Sequence, residues 1–365
     1  MKKYSLAIHG GAGTISRKAV TPEKERAYTA ALYSILEEGQ KMLAGGASAL
    51  DVATQAVVRL EDCPLFNAGH GAVFNSDGVN ELDASIMDGA TRSAGAVALL
   101  KRVRNPILAA RTVMESGLCV FMAGDSADDF ARSRGLEMVE QSYFFTQERM
   151  DQLEKVKAMG GMFLMLDHDA EKLAAESPDG VSAGTAADAS APGTAGERCT
   201  SGNSGTYGEQ GKSGESETLV GGEPIESLTK FGTVGAVARD IHGNLAAANS
   251  TGGLTNKIPG RIGDSAVIGA GCYADNAAAA IATTGTGETF IRGSVAHDIV
   301  SLMKYSGLPL HEAVGRVLSA QESLGGTGGL VAVDAAGNVA LPFITDGMYR
   351  GSVVSGEPIF TAIYK

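Results

Sequence analysis

Between Asp169 and Lys230 the 365-residue chain loses all hydrophobic pattern, so any fold has to be assembled from the two patterned segments on either side. The run VSAGTAADASAPGTAGERCTSGNSGTYGEQGKSGESETLVGG is glycine, alanine, serine and threonine with scattered charge. Such a composition buries too little apolar surface to offset the entropy lost on ordering. A structureless segment of this length is unexpected inside a compact domain unless it is a linker or functional. The composition therefore predicts a long disordered linker over about 169–230, with a structured core ending near His168. GEQGKS within it imitates a phosphate loop, but Thr206 stands where the first glycine is required and no strand precedes it.

Upstream of the linker, strand-like and helix-like pieces alternate. Ser5–His9 reads as a short strand ending in glycines, and Pro22–Leu43 as a helix with Thr21 at its N-cap and proline in the first turn. Ser48 and Asp51 form an approximate capping box opening a second helix. Glu81–Asp88 and Ala94–Leu100 read as strands, Pro106–Glu115 as a helix, Cys119–Ala123 as a strand and Thr146–Met159 as an amphipathic helix. Downstream, Gly232–Asp240 and Asn244–Thr251 pair around the turn His242-Gly243. Ala266–Ala274, Ala277–Thr284, Gly329–Asp334 and Asn338–Ile344 read as further strands, and Glu288–Tyr305 and Pro309–Gln321 as helices. Recurrent hairpin turns favour a two-sheet core covered by helices over a doubly wound parallel sheet.

The formal charge of −12 argues against general nucleic-acid or anionic-membrane binding. Cys63, Cys119, Cys199 and Cys272 are scattered without metal-ligand spacing and read as free buried thiols in a reducing compartment. The apolar run after Lys2-Lys3 breaks at His9, too early for a secretory core, and no stretch approaches a membrane span. The expectation is a cytoplasmic protein.

Order returns abruptly at Gly232-Thr233, the first residues of GTVGAVARD. If that peptide bond is cut, Thr233 gains a free α-amine beside its own hydroxyl. A hydroxyl alone is a poor nucleophile, whereas an α-amine titrating near pH ~8 is a matched base. The plain alternative is a β-favouring residue that opens a strand. Ser250-Thr251-Gly252-Gly253 ends the following strand and can bring a hydroxyl towards Thr233, or simply form a turn. Arg261 and Asp264 lie three residues apart in a loop stiffened by proline and glycine. They complement the carboxylate and amine of an amino acid, or else form a loop ion pair. Thr284-Gly285-Thr286-Gly287 joins a strand to a helix, where turned-out N–H groups bind an oxyanion or merely cap the helix. His9-Gly10-Gly11-Ala12-Gly13 lacks nucleotide-loop spacing and reads as a tight turn allowing close backbone approach.

The strings HGGAG (9–13), CPLFNAGHGAVF (63–74), ELDASIMDG (81–89), RNPILAAR (104–111), GTVGAVARD (232–240), STGGLTNKIPGRIGDS (250–265), GAGCYADN (269–276) and TGTGE (284–288) stand in this order. Together they resemble the plant-type (type III) asparaginase/isoaspartyl peptidase family of N-terminal-nucleophile hydrolases, over nearly everything outside the linker. The resemblance implies an α+β, four-layer αββα sandwich. It implies self-cleavage between Gly232 and Thr233, giving an α segment 1–232 and a β segment 233–365 intertwined in one domain. It further implies an (αβ)2 assembly and hydrolysis of L-asparagine and of β-aspartyl dipeptides.

Residue by residue, Thr233 matches the family's nucleophile and Thr251 the threonine that hydrogen-bonds near it. Arg261 and Asp264 match the holders of the substrate's α-carboxylate and α-amine, and Thr284 and Gly285 the oxyanion-hole pair. Asn67 matches an active-site asparagine. Leu60, Glu61, Cys63, Phe66, Ala68 and His70 match a loop that wraps a structural sodium ion, mainly with backbone carbonyls; no cofactor is implied for catalysis. The sequence departs from the family in its longer linker, in Asn249 where relatives often carry threonine, and in His70 where an apolar residue is usual. Glycosylasparaginase, which shares the fold and an Arg…Asp segment, is the enzymatic alternative. An unprocessed binding protein is the non-enzymatic one.

Overall fold

The computed structural model describes residues 3–15, 17, 20–160, 219–220, 223–224 and 232–365. The linker expected over 169–230, with Cys199 inside it, lies outside the described residues apart from two dipeptide strands, β5 (Leu219–Val220) and β6 (Glu223–Pro224), paired antiparallel.

The first segment forms β1 (Ser5–Gly13), α1 (Pro22–Ala44), α2 (Ala49–Glu61), β2 (Leu82–Asp88), β3 (Ala94–Leu100), α3 (Pro106–Ser116), β4 (Phe121–Ala123), α4 (Gly124–Ser133) and α5 (Gln147–Gly160). Both expected caps are made: Thr21 Oγ1 accepts from Lys24 N–H and Ser48 Oγ from Asp51 N–H. The second segment forms β7 (Val234–Arg239), β8 (Leu245–Thr251), β9 (Cys272–Ala274), β10 (Ala279–Gly285), α6 (Gly287–Gly293), α7 (Val295–Ser306), α8 (Leu310–Ser323), β11 (Gly328–Asp334), β12 (Val339–Ala340), β13 (Gly347–Val354) and β14 (Phe360–Tyr364).

These strands make an eight-stranded sheet in the order β14-β13-β1-β7-β8-β2-β3-β4 and a four-stranded sheet in the order β12-β11-β10-β9. Neighbours are antiparallel except β3 and β4. Period-two alternation decides which side chains face which layer. In β1, Leu6 and Ile8 point to the core shared with α1 and α2, while Ala7 points to the second sheet. In β7, Ala236 and Ala238 face the helices and Val237 the second sheet. On the far side, Ile281 and Leu330 pack under Ile299, Val314 and Val317 of α7 and α8. The result is helices, sheet, sheet, helices: the αββα sandwich. Its inter-sheet layer is built largely of alanine (Ala7, Ala247, Ala280, Ala282), which lets the two sheets approach closely.

Several sequence expectations are corrected. β1 runs on through the glycines to Gly13, with an irregular register between His9 and Ala12, instead of closing in a turn at His9. Ala266–Ala274 is a strand only at Cys272–Ala274, because Asp264–Ala266 is a 3-10 turn. The helix expected over Glu288–Tyr305 breaks at Ser294, whose φ of 46° is left-handed. Cys119–Ala123 shortens to Phe121–Ala123, and Asn338–Ile344 to Val339–Ala340. Among the described residues Cys63, Cys119 and Cys272 are free thiols, but Cys119 is exposed and Cys63 half-buried, leaving Cys272 as the buried one of these three. No helix among the described residues is long and apolar enough to cross a membrane.

Candidate active site

The inter-sheet layer changes character along its length. Continuing the inward-facing rows in steps of two, Ala7 leads to His9, Val237 to Gly235 and Thr233, Ala247 to Asn249 and Thr251, and Ala282 to Thr284. One end of the sandwich is therefore apolar and the other polar, with every one of these polar side chains buried. Thr233 precedes β7, Thr251 closes β8 and Thr284-Gly285 closes β10, so three strand ends from two sheets meet. The loop between β8 and β9 adds Arg261 and Asp264.

A cleft of about 310 Å³ opens there, lined by Thr233, Thr251, Arg261, Asp264, Thr284 and Gly285, with Gly232 on its wall. The cleft thus joins six residues singled out from the sequence. Asn67 is not on the wall. Its side chain braces it from behind, Nδ2 donating to Gly253 O at 2.7 Å while Oδ1 accepts from Val73 N–H at 2.9 Å. Thr251 Oγ1 accepts from Gly253 N–H at 3.0 Å, so its hydroxyl also shapes the Gly252-Gly253 turn.

The hydroxyl that meets Thr233 Oγ1 is that of Ser265, at 2.9 Å. Ser265 ends the STGGLTNKIPGRIGDS string with no role visible in the sequence, because it sits in a 3-10 turn outside any β-strand period. His9 was likewise read only as part of a turn. Its imidazole lies against the Thr233 backbone and the Asn249 side chain, and burial pushes it down to about 3, so it is neutral. A Cβ on Gly235 would fall 2.2 Å from Asn249 Oδ1 and 2.3 Å from His9 Nε2, which is why glycine stands there.

Burial raises the Asp264 carboxyl to about 6, against the opposing pull of the Thr283 hydroxyl, which donates to it at 2.8 Å, and of Arg261. Arg261 donates from Nε and Nη2 to a single oxygen of Glu288, at 2.9 and 2.8 Å. Thr284 Oγ1 accepts from Ala12 N–H at 3.4 Å, leaving its own O–H to donate. Gly285 has φ of 155°, and a Cβ there would lie 2.2 Å from Thr327 O, so both backbone conformation and space demand glycine. Below the loop, Lys257 is fully buried and donates to Glu81 O at 3.0 Å, while Gly260 N–H donates to Glu81 Oε2 at 3.1 Å. Glu81 and Lys257 hold the segment that carries Arg261.

The loop matched to sodium follows α2. Its donor set fits a hard monovalent cation only through backbone oxygens: no cluster of three His, Cys, Asp or Glu among the described residues can hold a metal. The Glu61 carboxylate is turned away, accepting from Ile107 N–H at 2.9 Å, and burial pushes it up to about 8. A Cβ on Gly71 would fall 2.6 Å from Pro64 O and 2.9 Å from Phe66 O, so the loop closes tightly on itself at a glycine.

The comparisons bear on the whole chain. The profile of the family described as Asparaginase matches residues 2–361. The chain is 47% identical over 366 residues to the isoaspartyl peptidase of Salmonella typhimurium, covering 100% of both chains. It is 47% identical to the isoaspartyl peptidase of Escherichia coli, with 100% of this chain and 97% of that one covered. A putative isoaspartyl peptidase/L-asparaginase of Dictyostelium discoideum is 46% identical over 97% of this chain and 94% of its own.

Proposed function

The chain belongs to the asparaginase family, and from that premise we propose that it is a self-processing threonine hydrolase acting on β-aspartyl dipeptides and L-asparagine. The observation that carries this reading is one cleft holding the Gly232-Thr233 junction, a guanidinium, a carboxylate and the Thr284-Gly285 turn. Maturation starts when Thr233 Oγ1, oriented by the Ser265 hydroxyl, attacks the Gly232 carbonyl carbon. The acyl group shifts from nitrogen to oxygen, and water opens the ester. Gly232 leaves with a carboxylate, and Thr233 keeps a free amine.

In turnover that amine takes the proton of the hydroxyl, and Oγ1 attacks the β-carbonyl of the substrate. Arg261 takes the substrate's α-carboxylate and Asp264 its ammonium. The O–H of Thr284 and the N–H of Gly285 receive the developing oxyanion, each such donor contributing about 3–4 kcal/mol. Ammonia or an amino acid departs, and water releases aspartate from the β-aspartyl ester. A sodium ion held by the carbonyls of Leu60, Glu61, Cys63, Phe66, Ala68 and His70 would stiffen the loop that carries Asn67. Replacing sodium by lithium should then lower the melting temperature, and an unchanged melting curve would remove the ion from this reading.

Denaturing mass spectrometry of the wild type should give residues 1–232 and 233–365 as separate species, and a Thr233→Ala variant a single one without ammonia release from asparagine. Two fragments and turnover from the variant would overturn the mechanism; an intact, inactive wild type would favour a binding protein. The family resemblance also carries the (αβ)2 assembly to this chain, which sedimentation of the mature protein tests.

A further inference from the structure

Glu288 is the charge in this site that the proposed reaction does not use. Arg261 reaches it with the long edge of its guanidinium, Nε and Nη2 both donating to Glu288 Oε1 at 2.9 and 2.8 Å. A guanidinium carries five N–H groups, so one on Nη2 and both on Nη1 stay available at its short end, enough for a second carboxylate in forked geometry. Arg261 is nearly buried, 10% exposed at the side chain, and lines the cleft; Glu288 is 49% exposed and sits on the outer side. Arg261 is therefore placed between a protein carboxylate outside and the substrate carboxylate inside. Space for this is kept at Gly287, where a Cβ would fall 3.0 Å from Arg261 Nη2 and 3.1 Å from Asp264 Oδ1.

Resting on the reading above, we infer that Glu288 is a specificity-determining residue that weakens the site's hold on the dicarboxylate product while leaving room for a neutral-side-chain substrate. The argument is one of charge. Arg261 and Glu288 cancel, and Asp264 balances the substrate's ammonium, so the positive charge left over is that of the Thr233 amine when protonated, which is the same for every ligand compared. Asparagine brings nothing more, and a β-aspartyl dipeptide brings a second carboxylate on the leaving residue, away from the carbon attacked. Aspartate brings a further negative charge on the carbon just attacked, into a cleft whose one guanidinium is already half neutralised. Removing the Glu288 charge relieves that repulsion for aspartate and far less for an amino acid with an uncharged side chain.

The test is equilibrium calorimetric titration of the mature protein with L-aspartate and, separately, L-alanine, for the wild type, Glu288→Gln and Glu288→Asp. Glutamine keeps an acceptor oxygen for Arg261 and removes the charge; aspartate keeps the charge. Glu288→Gln should bind L-aspartate roughly three- to tenfold more tightly, the range of a unit charge partly screened by solvent. Its preference for aspartate over alanine should rise, while Glu288→Asp stays near the wild type. A purely structural Glu288 would instead weaken both ligands together in Glu288→Gln. That result, or an unchanged aspartate affinity, overturns the inference while leaving the hydrolase reading intact if the wild type still releases aspartate. A wild type that binds neither ligand and releases no ammonia from asparagine overturns both.

Discussion

Thr233 has a hydroxyl partner fixed before any substrate arrives. Because Ser265 Oγ stands 2.9 Å from Thr233 Oγ1, the nucleophile's rotamer is held by a group that is neither acid nor base at neutral pH. Ser265→Ala should slow both self-cleavage and kcat about tenfold, the loss of one hydrogen bond expressed in the barrier, with KM little changed. Cleavage time courses and steady-state rates check this, and a KM effect alone would reassign Ser265 to substrate binding. Asp264 gives a second expectation. Its carboxyl, raised to about 6 by burial, must be ionised to accept the substrate's ammonium. The Thr233 amine, titrating near pH ~8, must be neutral to act as base. Hence kcat/KM should fall tenfold per pH unit below ~8 and a hundredfold per unit below about 6, where both groups are protonated. Asp264→Asn should lose the lower break along with most activity; a wild-type profile without that break contradicts the role. The same shift has a stability sign. A folded value above the ordinary aspartate 3.8 gives a contribution to folding that is full below about that pH and is lost as pH rises through 6. Asp264→Asn should accordingly be more stable at pH 7, by roughly 3 kcal/mol in urea unfolding. At this scale the sequence displayed the chemical types and not their partners. That Thr233, Arg261 and Asp264 share one cleft was legible through the string of motifs, since the residues alone left a strand start and a loop ion pair open. Ser265, His9 and Glu288 were not, because each acquires its meaning from a neighbour distant in the chain or across a turn.

Elements were legible where a segment carries its own period and caps. α1 and α2 start at Thr21 and Ser48 as their side chains require, and β3 occupies the expected Ala94–Leu100. α4 escaped notice because its anchor is tertiary: the buried Asp128 carboxylate accepts from Lys101, Arg102 and Val103 N–H, and few apolar residues mark the helix. β13 escaped because both its faces are covered, which erases alternation, and because two glycines interrupt it. The break at Ser294 follows Gly293, a lone glycine inside an otherwise helical pattern that does not by itself end a helix. Packing between elements has its own test at Gly95 of β3. A Cβ there would lie 2.1 Å from Ala110 O and 2.6 Å from Met114 N, both backbone atoms of α3. Gly95→Ala must push the helix off the sheet and should cost about 2–3 kcal/mol in urea unfolding. Since α3 packs on the face of the sheet opposite the cleft, KM for the folded fraction should hold. A stability change under 0.5 kcal/mol, the scale of an ordinary surface substitution, would mean that the helix is not seated as described.

The two chain segments interlock at the level of the whole sheet. Read across its eight strands, β14 and β13 come from the second segment, β1 from the first, β7 and β8 from the second, and β2, β3 and β4 from the first. β1 has both of its neighbours, β7 and β13, in the other segment. A cut at Gly232-Thr233 therefore severs no ladder, yet separating the pieces would unpair β1 along both edges and split β8 from β2. It would also expose the apolar layer of Ala7, Val237, Ala247 and Met348. Burial of that layer and satisfaction of the strand N–H and C=O groups both oppose dissociation. The cleaved protein should thus elute as one species in native size exclusion and resolve into two only in denaturant, with fluorescence, circular dichroism and fragment release following a single transition. Residues 1–232 expressed alone should aggregate, because β1 and β2 then offer long unpaired edges. Separation of the fragments in native buffer, or a well-folded lone first segment, would mean that the strand order across the cut does not govern stability. Scission at Gly232-Thr233, as proposed, would be tolerable because the strand pairing places no reliance on the bond it breaks.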